Sequence, residues 1–384
     1  MTKKVIVALY NMGGPKSLDH VESFLRELFY DPDLLAVPAP LQKYIANDII
    51  KKRLSEVKEN YSGIGGKSPQ MDITWDLCKK VWEKRGQFPQ NNYEVVEVKP
   101  LFRYCEPRAQ TILDECLEKK CDEVWMFSQY PHCTRATTGT NLREVALLKA
   151  NNPKYKDITV RSIFPWWTDL DIQDIWAKRI KKCWDDIKEP KKHLVISAHS
   201  IPKKYLKKGD PYAQQISTMA REVAGKCGLE EGKDWTLSWQ SKVGPLEWLS
   251  PDTVDASLDL VEKGYKHMLY WPISFVGDHI ETISELDIEL KEELCKAGIE
   301  GYSRVPNLNS DDEFADWIAK TIEKGLEEVA DDGTHSRTFR NIETHEAHPS
   351  CKYQNGGCLC ARFYDAGLRK ENRKILTLEI PHKF

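Results

Sequence analysis

The sequence predicts an α/β protein with two similar halves, on three observations. Short β-rich runs alternate with longer amphipathic stretches along the whole chain, the pattern of strand–helix–strand units. Several of these runs are apolar on both parities, as strands covered on both faces of a parallel sheet must be. Roughly four runs precede residue 170 and four follow it, which favours two small sheets over one very wide one.

In the first half the expected strands are KVIVALY (4–10), YEVVEV (93–98), EVWMFSQ (123–129) and ITVRSIF (158–164). In the second half they are HLVISA (193–198), WTLSWQ (235–240), HMLYWPISF (267–275) and EGYSRV (300–305). Stretches 109–119, 170–187, 211–226 and 252–263 have helical periodicity. Three segments break the rhythm. Residues 31–67 form a long insertion whose apolar residues are interleaved with Lys43, Lys51, Lys52 and Arg53. It suits either a lip lying against lipid headgroups or an ordinary helix and loop packed on its own domain. Residues 331–350 are polar and read as a linker, and a cysteine-rich tail follows from 351.

The 384 residues carry a formal charge of −3, so no nucleic-acid partner is expected. No apolar run approaches the roughly eighteen residues of a membrane span. The N-terminal apolar run passes into a glycine turn with no cleavage site, which predicts a cytoplasmic chain. Eleven cysteines, odd in number and scattered, argue against a disulfide framework. Cys351, Cys358 and Cys360, packed into CKYQNGGCLC, need a separate explanation.

Two glycine-rich turns, NMGGP (11–15) and YSGIGGKSP (61–69), lack the spacing of nucleotide-binding loops and read as tight turns. Two strand ends carry more chemistry. VISAHSIP ends its strand on His199, and in open α/β sheets ligand crevices form at strand carboxyl ends. YWPISFVGDHIETISE ends near Phe275 and then presents Asp278, His279 and Glu281. On a helix of about 100° per residue, Asp278, Glu281, Glu285, Glu289 and Glu292 share roughly an 80° arc. Such a stripe fits a solvated face, a pair of acid–base carboxylates, or a path for a divalent cation such as Fe²⁺.

These motifs, with FRYCEP (102–107), QYPHCTRATTG (129–139), GDPY (209–212) and WQSKVGPLEWLSP (239–251), make the sequence resemble the ferrochelatases, over residues 4 to about 325. Those enzymes insert Fe²⁺ into a porphyrin. The resemblance implies two Rossmann-like halves with the active-site cleft between them. The expected layout is residues 1–170 with the 31–67 lip, then 171–310, a helix at 311–330 packing back, and a linker and tail at 331–384.

By the same resemblance, His199 accepts pyrrole protons or ligates iron, and Glu281 is its acidic partner. Asp278, Glu285 and Glu289 continue as a metal or proton path. Met12, Trp248 and Phe275 are apolar walls for the macrocycle. Arg53 pairs with a propionate, and Tyr61, Ser68 and Arg103 hydrogen-bond propionates or their supports. Tyr104 and Tyr130 fit that role or the core. Methionine at the NMGGP turn, with the apolar lip, points to protoporphyrin IX. The alternatives are coproporphyrin III, another tetrapyrrole chelatase or, less so, a non-catalytic carrier. Many members hold a [2Fe–2S] cluster, for which Cys351, Cys358 and Cys360 supply three thiolates. Arg135 occupies the position of the fourth ligand in the animal enzymes. Cys133, two residues away, is the first choice here, with Cys183 or Cys105 as replacements. The expected state is a monomer or homodimer, peripheral on the inner face of the cytoplasmic membrane.

Overall fold

The computed structural model describes residues 2–332 and 338–343, apart from residues 36, 38, 90, 91, 164 and 243–245. The first half runs β1 (Lys3–Asn11), α1 (Val21–Phe29), α2 (Ala39–Gly63), α3 (Gln70–Glu83), β2 (Tyr93–Phe102), α4 (Ala109–Glu118), β3 (Glu123–Ser128), α5 (Thr140–Asn151) and β4 (Thr159–Ile163). Its sheet has the order β2-β1-β3-β4, all parallel. Residues Val5 to Tyr10 are completely buried, which explains a strand apolar on both parities. Ile6, Ala8 and Tyr10 pack with α4 and α5, while Val5, Val7 and Leu9 face α3 and the body shared with the second half.

The second half runs α6 (Leu170–Asp186), β5 (Lys192–His199), α7 (Lys203–Lys207), α8 (Tyr212–Lys226), β6 (Trp235–Gln240), α9 (Thr253–Glu262) and β7 (His267–Pro272). A helical segment follows, and then β8 (Gly301–Arg304). The order β6-β5-β7-β8, again all parallel, repeats the topology of the first sheet. In each sheet the order reverses beside the first strand of its half, and that reversal opens a crevice at the carboxyl ends.

The helical segment departs from expectation. It is α10 (Ile280–Thr282), a π-helical stretch over Ile283–Leu290, and α11 (Lys291–Lys296). Hydrogen bonds from i to i+5 widen each turn, so spacing on an α-helical wheel does not describe where its side chains point.

Helix α12 (Asp312–Asp332) returns to pack on α3 and α6, and its Phe314 and Trp317 close over Trp166 and Phe127. The linker expected over 331–350 is structured in part. β9 (Phe339–Asn341) adds antiparallel to β4, and Phe339 stacks on Trp125 with ring centroids 4.7 Å apart. One buried aromatic in a polar run is enough to seat a three-residue edge strand, and it leaves no periodicity to read.

Candidate active site

β5 lies between β6 and β7, so the carboxyl ends of all three converge. β5 ends on His199, whose Nδ1–H donates to the Ser200 carbonyl at 2.6 Å. That bond fixes the tautomer and leaves Nε2 with its lone pair. Burial holds the imidazole pKa below its ordinary value, against the Ser200 carbonyl and the Glu285 charge, so the neutral base dominates near pH 7. The strand end is fixed by Ser274, whose Oγ accepts the His199 N–H at 3.1 Å and shares a 2.7 Å hydrogen bond with Tyr212 Oη.

From the end of β7, Phe275 stands edge-on to His199 at 6.4 Å and leans on His279 at 4.2 Å. Glu281 then enters from α10. Its Oε1 lies 3.6 Å from His199 Nε2, and its Oε2 lies 3.8 Å from His279 Nε2. His279 is buried, and that burial pushes its pKa down to about 3, so it stays neutral. The end of β6 supplies the other side. Gln240 Nε2 donates to Glu285 Oε2 at 3.1 Å and to the Glu281 carbonyl at 3.0 Å.

Ser241 Oγ donates to Glu285 Oε2 at 2.5 Å and stands 3.5 Å from Glu281 Oε2. Ser241 has φ +63°, a strained conformation for a non-glycine residue, and strain of this kind concentrates at functional sites. Burial pushes the Glu281 carboxyl up to about 7, against the Ser241 hydrogen bond and the Arg53 charge. Burial, and then the neighbouring Glu281 charge, raise Glu285 to about 7 as well. Both carboxyls of this interacting pair therefore titrate close to neutrality.

The first half brings its own strand end to the same cleft. After β1 the chain turns through Gly13 and Gly14. A side chain at Gly14 would meet Ser68 Cβ at 2.3 Å, so this glycine exists to let the 61–69 turn pack on the NMGGP turn. Met12 is half-buried against the cluster of Tyr61, Tyr104 and Ile280, which joins the two halves. Tyr61 is buried, and burial with the Glu281 charge drives its hydroxyl pKa upward. At the next turn of the acidic segment, Glu289 accepts from Asn60 of α2 at 3.0 Å and from Ser284 at 2.7 Å.

With that geometry in view, the family model described as Ferrochelatase matches residues 4–326 of the chain. The chain belongs to the ferrochelatase family. It is a metal-chelating enzyme of the kind that inserts metal into a porphyrin. The ferrochelatase of Rippkaea orientalis is 32% identical over 98% of this chain and 96% of its own length. That of Synechococcus elongatus is 34% identical over 85% of this chain and 83% of its own. That of Pelagibacter ubique is 35% identical over 84% and 91% respectively. Among solved structures, SirB from Bacillus subtilis with Fe³⁺ covers 86% of this chain and 97% of its own at 9% identity, a distant likeness with a TM-score of 0.46.

Several residues expected around the ferrochelatase cleft are engaged elsewhere. Asp278 does not continue the acidic line: Arg304 Nη1 lies 3.0 Å from its Oδ1, and Asn307 and Asn309 donate to its two oxygens. The expected stripe of five is thus divided. Glu281 and Glu285 meet His199, Gln240 and Ser241, Glu289 and Glu292 are exposed, and Asp278 anchors the loop from β8. Arg103, expected at a propionate or its supports, has its partners within the fold. It is buried with Asp31 at 2.9 Å and Glu144 at 3.4 Å, while its Nε donates to Thr140 at 2.8 Å.

Tyr104 donates to Asp31 at 3.0 Å, which settles it as part of that network. Tyr130 leans edge-on against Tyr10 at 6.2 Å, half-buried. Ser68 is buried under the NMGGP turn. Trp248 is half-buried and paired through its backbone with Pro202. Arg53 is half-exposed, with Glu56 at 3.9 Å. Gln240 and Ser241 stand inside the WQSK motif and Ser274 inside YWPISF, but residue type and spacing mark none of the three as part of the site.

Cys351, Cys358 and Cys360 lie outside the described residues. Among the described residues no group of three or more His, Cys, Asp or Glu is arranged to hold a metal ion. Cys133 is buried, and its N–H donates to Gln215 Oε1 at 2.7 Å. It belongs to the same apolar cluster as Ile342, one residue past β9. Arg135 is committed to Asp33, with Nε 2.6 Å from Oδ1. No described helix is long and apolar enough to cross a membrane.

Proposed function

We propose that this ferrochelatase inserts Fe²⁺ into protoporphyrin IX. The observation that carries the reading is the lone pair of His199 Nε2 facing the Glu281 carboxyl at 3.6 Å, with the Phe275 ring edge-on beside it. The reaction exchanges two pyrrole protons for one Fe²⁺, so the site must take up protons while it admits a cation. His199, neutral and with its Nδ1–H already donated, accepts a proton at Nε2. The Glu281–Glu285 pair, poised near neutrality, takes the other and passes it between carboxylates bridged by Ser241. Oxygen and imidazole donors suit Fe²⁺ without holding it as a structural site would.

Met12, Trp248 and Phe275 serve as walls for the macrocycle. Arg53 reaches a propionate, and Tyr61 and Ser68 support that end. Glu289 is the outer station of the proton or metal path. The apolar lip over 31–67 lets a poorly soluble porphyrin enter from the surface of the cytoplasmic membrane, on its inner face. The test is an insertion assay with purified protein, Fe²⁺ and either protoporphyrin IX or coproporphyrin III, followed by loss of free-base fluorescence. Turnover with protoporphyrin IX is expected. Turnover with coproporphyrin III alone would reassign the substrate, and none with either would overturn the reading.

The tail belongs to the same proposal as the seat of a [2Fe–2S] cluster, held by Cys351, Cys358 and Cys360 with Cys133. The donor chemistry fits, since three thiolates need one more. Eight residues separate Ile342 from Cys351, and the nine steps between them reach up to about 30 Å. When bound, the cluster supplies a one-electron redox centre; insertion of Fe²⁺ consumes no electron and does not run through it. Purified protein is expected to show visible charge-transfer absorption that Cys358→Ser removes. Colourless protein reconstituted with iron and sulfide would refute the cluster.

A further inference from the structure

We propose that Ser274 and Tyr212 are positioning residues for the base, holding the His199 imidazole at Glu281 through a pair of buried hydroxyls. The inference rests on the reading of His199 as the proton acceptor. It adds that the first half of the chain takes part in placing that acceptor.

The need for such a device follows from the sheet. β5 pairs with β6 as far as His199 with Gln240, and there the Ser200 N–H donates to the Gln240 carbonyl at 2.8 Å. On the other side the pairing with β7 ends two residues earlier, at Ser197 with Pro272. Successive N–H groups point to opposite sides of a strand, so the His199 N–H points towards β7, past the end of that ladder. A buried N–H there requires an acceptor. Ser274, in the turn after β7, supplies its hydroxyl at 3.1 Å, in place of a backbone carbonyl.

A serine side chain has three rotamers open to it unless a neighbour selects one. Here the neighbour is Tyr212, whose Oη shares a 2.7 Å hydrogen bond with Ser274 Oγ. Tyr212 is itself buried, with the His132 ring edge-on at 6.0 Å and the Trp239 ring at 6.2 Å. Its N–H donates to Asp210 Oδ1 at 3.1 Å. Asp210 Oδ2 accepts from Thr134 Oγ1 at 2.8 Å and from the Arg135 N–H at 2.9 Å. His132, Thr134 and Arg135 belong to the loop after β3, in the first half. The chain of contacts therefore runs from that loop, through Asp210, Tyr212 and Ser274, to the backbone of the base.

Backbone placement matters because the imidazole is tied to it. Its Nδ1–H donates to the Ser200 carbonyl, one residue away, so ring and backbone move as a unit. A shift of that unit carries Nε2 away from the Glu281 carboxyl, now 3.6 Å off. In a reacting geometry a misplacement of about 1 Å is worth up to roughly 10²-fold in rate. Both hydroxyl-bearing side chains are buried, so they act through His199 and not on the macrocycle.

The experiment is insertion kinetics of the full chain carrying Ser274→Ala or Tyr212→Phe, each alone and combined with His199→Ala. Slow variants are followed with enzyme in excess over porphyrin, and circular dichroism checks their fold. Ser274→Ala should lower kcat by roughly tenfold or more and leave the KM for porphyrin unchanged. Tyr212→Phe keeps the acceptor but frees its rotamer, so its loss of kcat should be smaller. Added to His199→Ala, neither change should lower the rate further, because the group they position is gone. If Ser274→Ala does not fold, Tyr212→Phe, which removes a single oxygen, decides alone. Unchanged kcat in the folded variants, a raised KM at unchanged kcat, or an equal loss on top of His199→Ala would overturn the proposal. Near-normal insertion by His199→Ala itself would instead overturn the reading of His199 as the base.

Discussion

Ser241 Oγ donates to Glu285 Oε2 at 2.5 Å while standing 3.5 Å from Glu281 Oε2, so one hydroxyl serves two raised carboxyls. With a single proton to donate, Ser241 can stabilise only one carboxylate at a time. The other is stabilised as the acid. This asymmetry suits a pair that must take up a proton and then give it away.

The pair should govern the pH profile. Both carboxyls are pushed up to about 7, by burial first. Below that value both are protonated, and neither accepts a proton or attracts a cation. The value of kcat/KM is therefore expected to fall as pH drops through about 7. Glu285→Gln relieves Glu281 of a neighbouring charge and should move the acidic limb to lower pH. A limb that stays in place would assign it to another group.

His199→Ala should lower insertion by roughly 10²-fold or more, the scale of a lost general base. The folded state should be retained, because the ring keeps 34% of its side-chain surface open and its backbone N–H, which bonds Ser274, survives the change. Turnover and circular dichroism on the same sample check both halves. Near-normal turnover would place the base elsewhere.

The same carboxyls bear on stability, and the sign follows from linkage. A carboxyl raised from 4.5 to about 7 by folding binds its proton more tightly in the native state. Stability is then lost as pH rises from the unfolded value towards the folded one, and above it the native state keeps the full penalty. Glu285→Gln should stabilise the protein at pH 8 by on the order of 2 kcal/mol and have little effect near pH 4. Thermal melts at both pH values, with turnover measured beside them, would reveal a gain in stability alongside a loss of activity.

The strands were legible because burial on both faces writes a continuous apolar run, as in Val5 to Tyr10. His199 and Glu281 were legible because each follows such a run. The π-helical stretch was not, since a wheel drawn at α-helical pitch assigns Asp278 and Glu289 to one stripe with Glu285. Asp278 instead answers to Arg304, Asn307 and Asn309, partners supplied by the loop after another strand. The partners of Arg103 were hidden for a related reason. Its neighbours in the chain look like a ligand motif, whereas Asp31 and Glu144 become its partners only through tertiary packing.

That last placement makes a prediction opposite to the motif. If Arg103 is part of the fold, Arg103→Met should destabilise the protein by about 3–5 kcal/mol, because Asp31 would be left charged and buried without its closest cation. Asp31 is held below the usual carboxylate range first by Arg103, against burial, and then by Thr140. Arg143 contributes further charge and would retain part of that hold. Urea unfolding measures the loss. For whatever fraction stays folded, the KM for porphyrin should be unchanged, since the guanidinium already has Asp31, Glu144 and Thr140 as partners. A raised KM with unchanged stability would return Arg103 to the cleft.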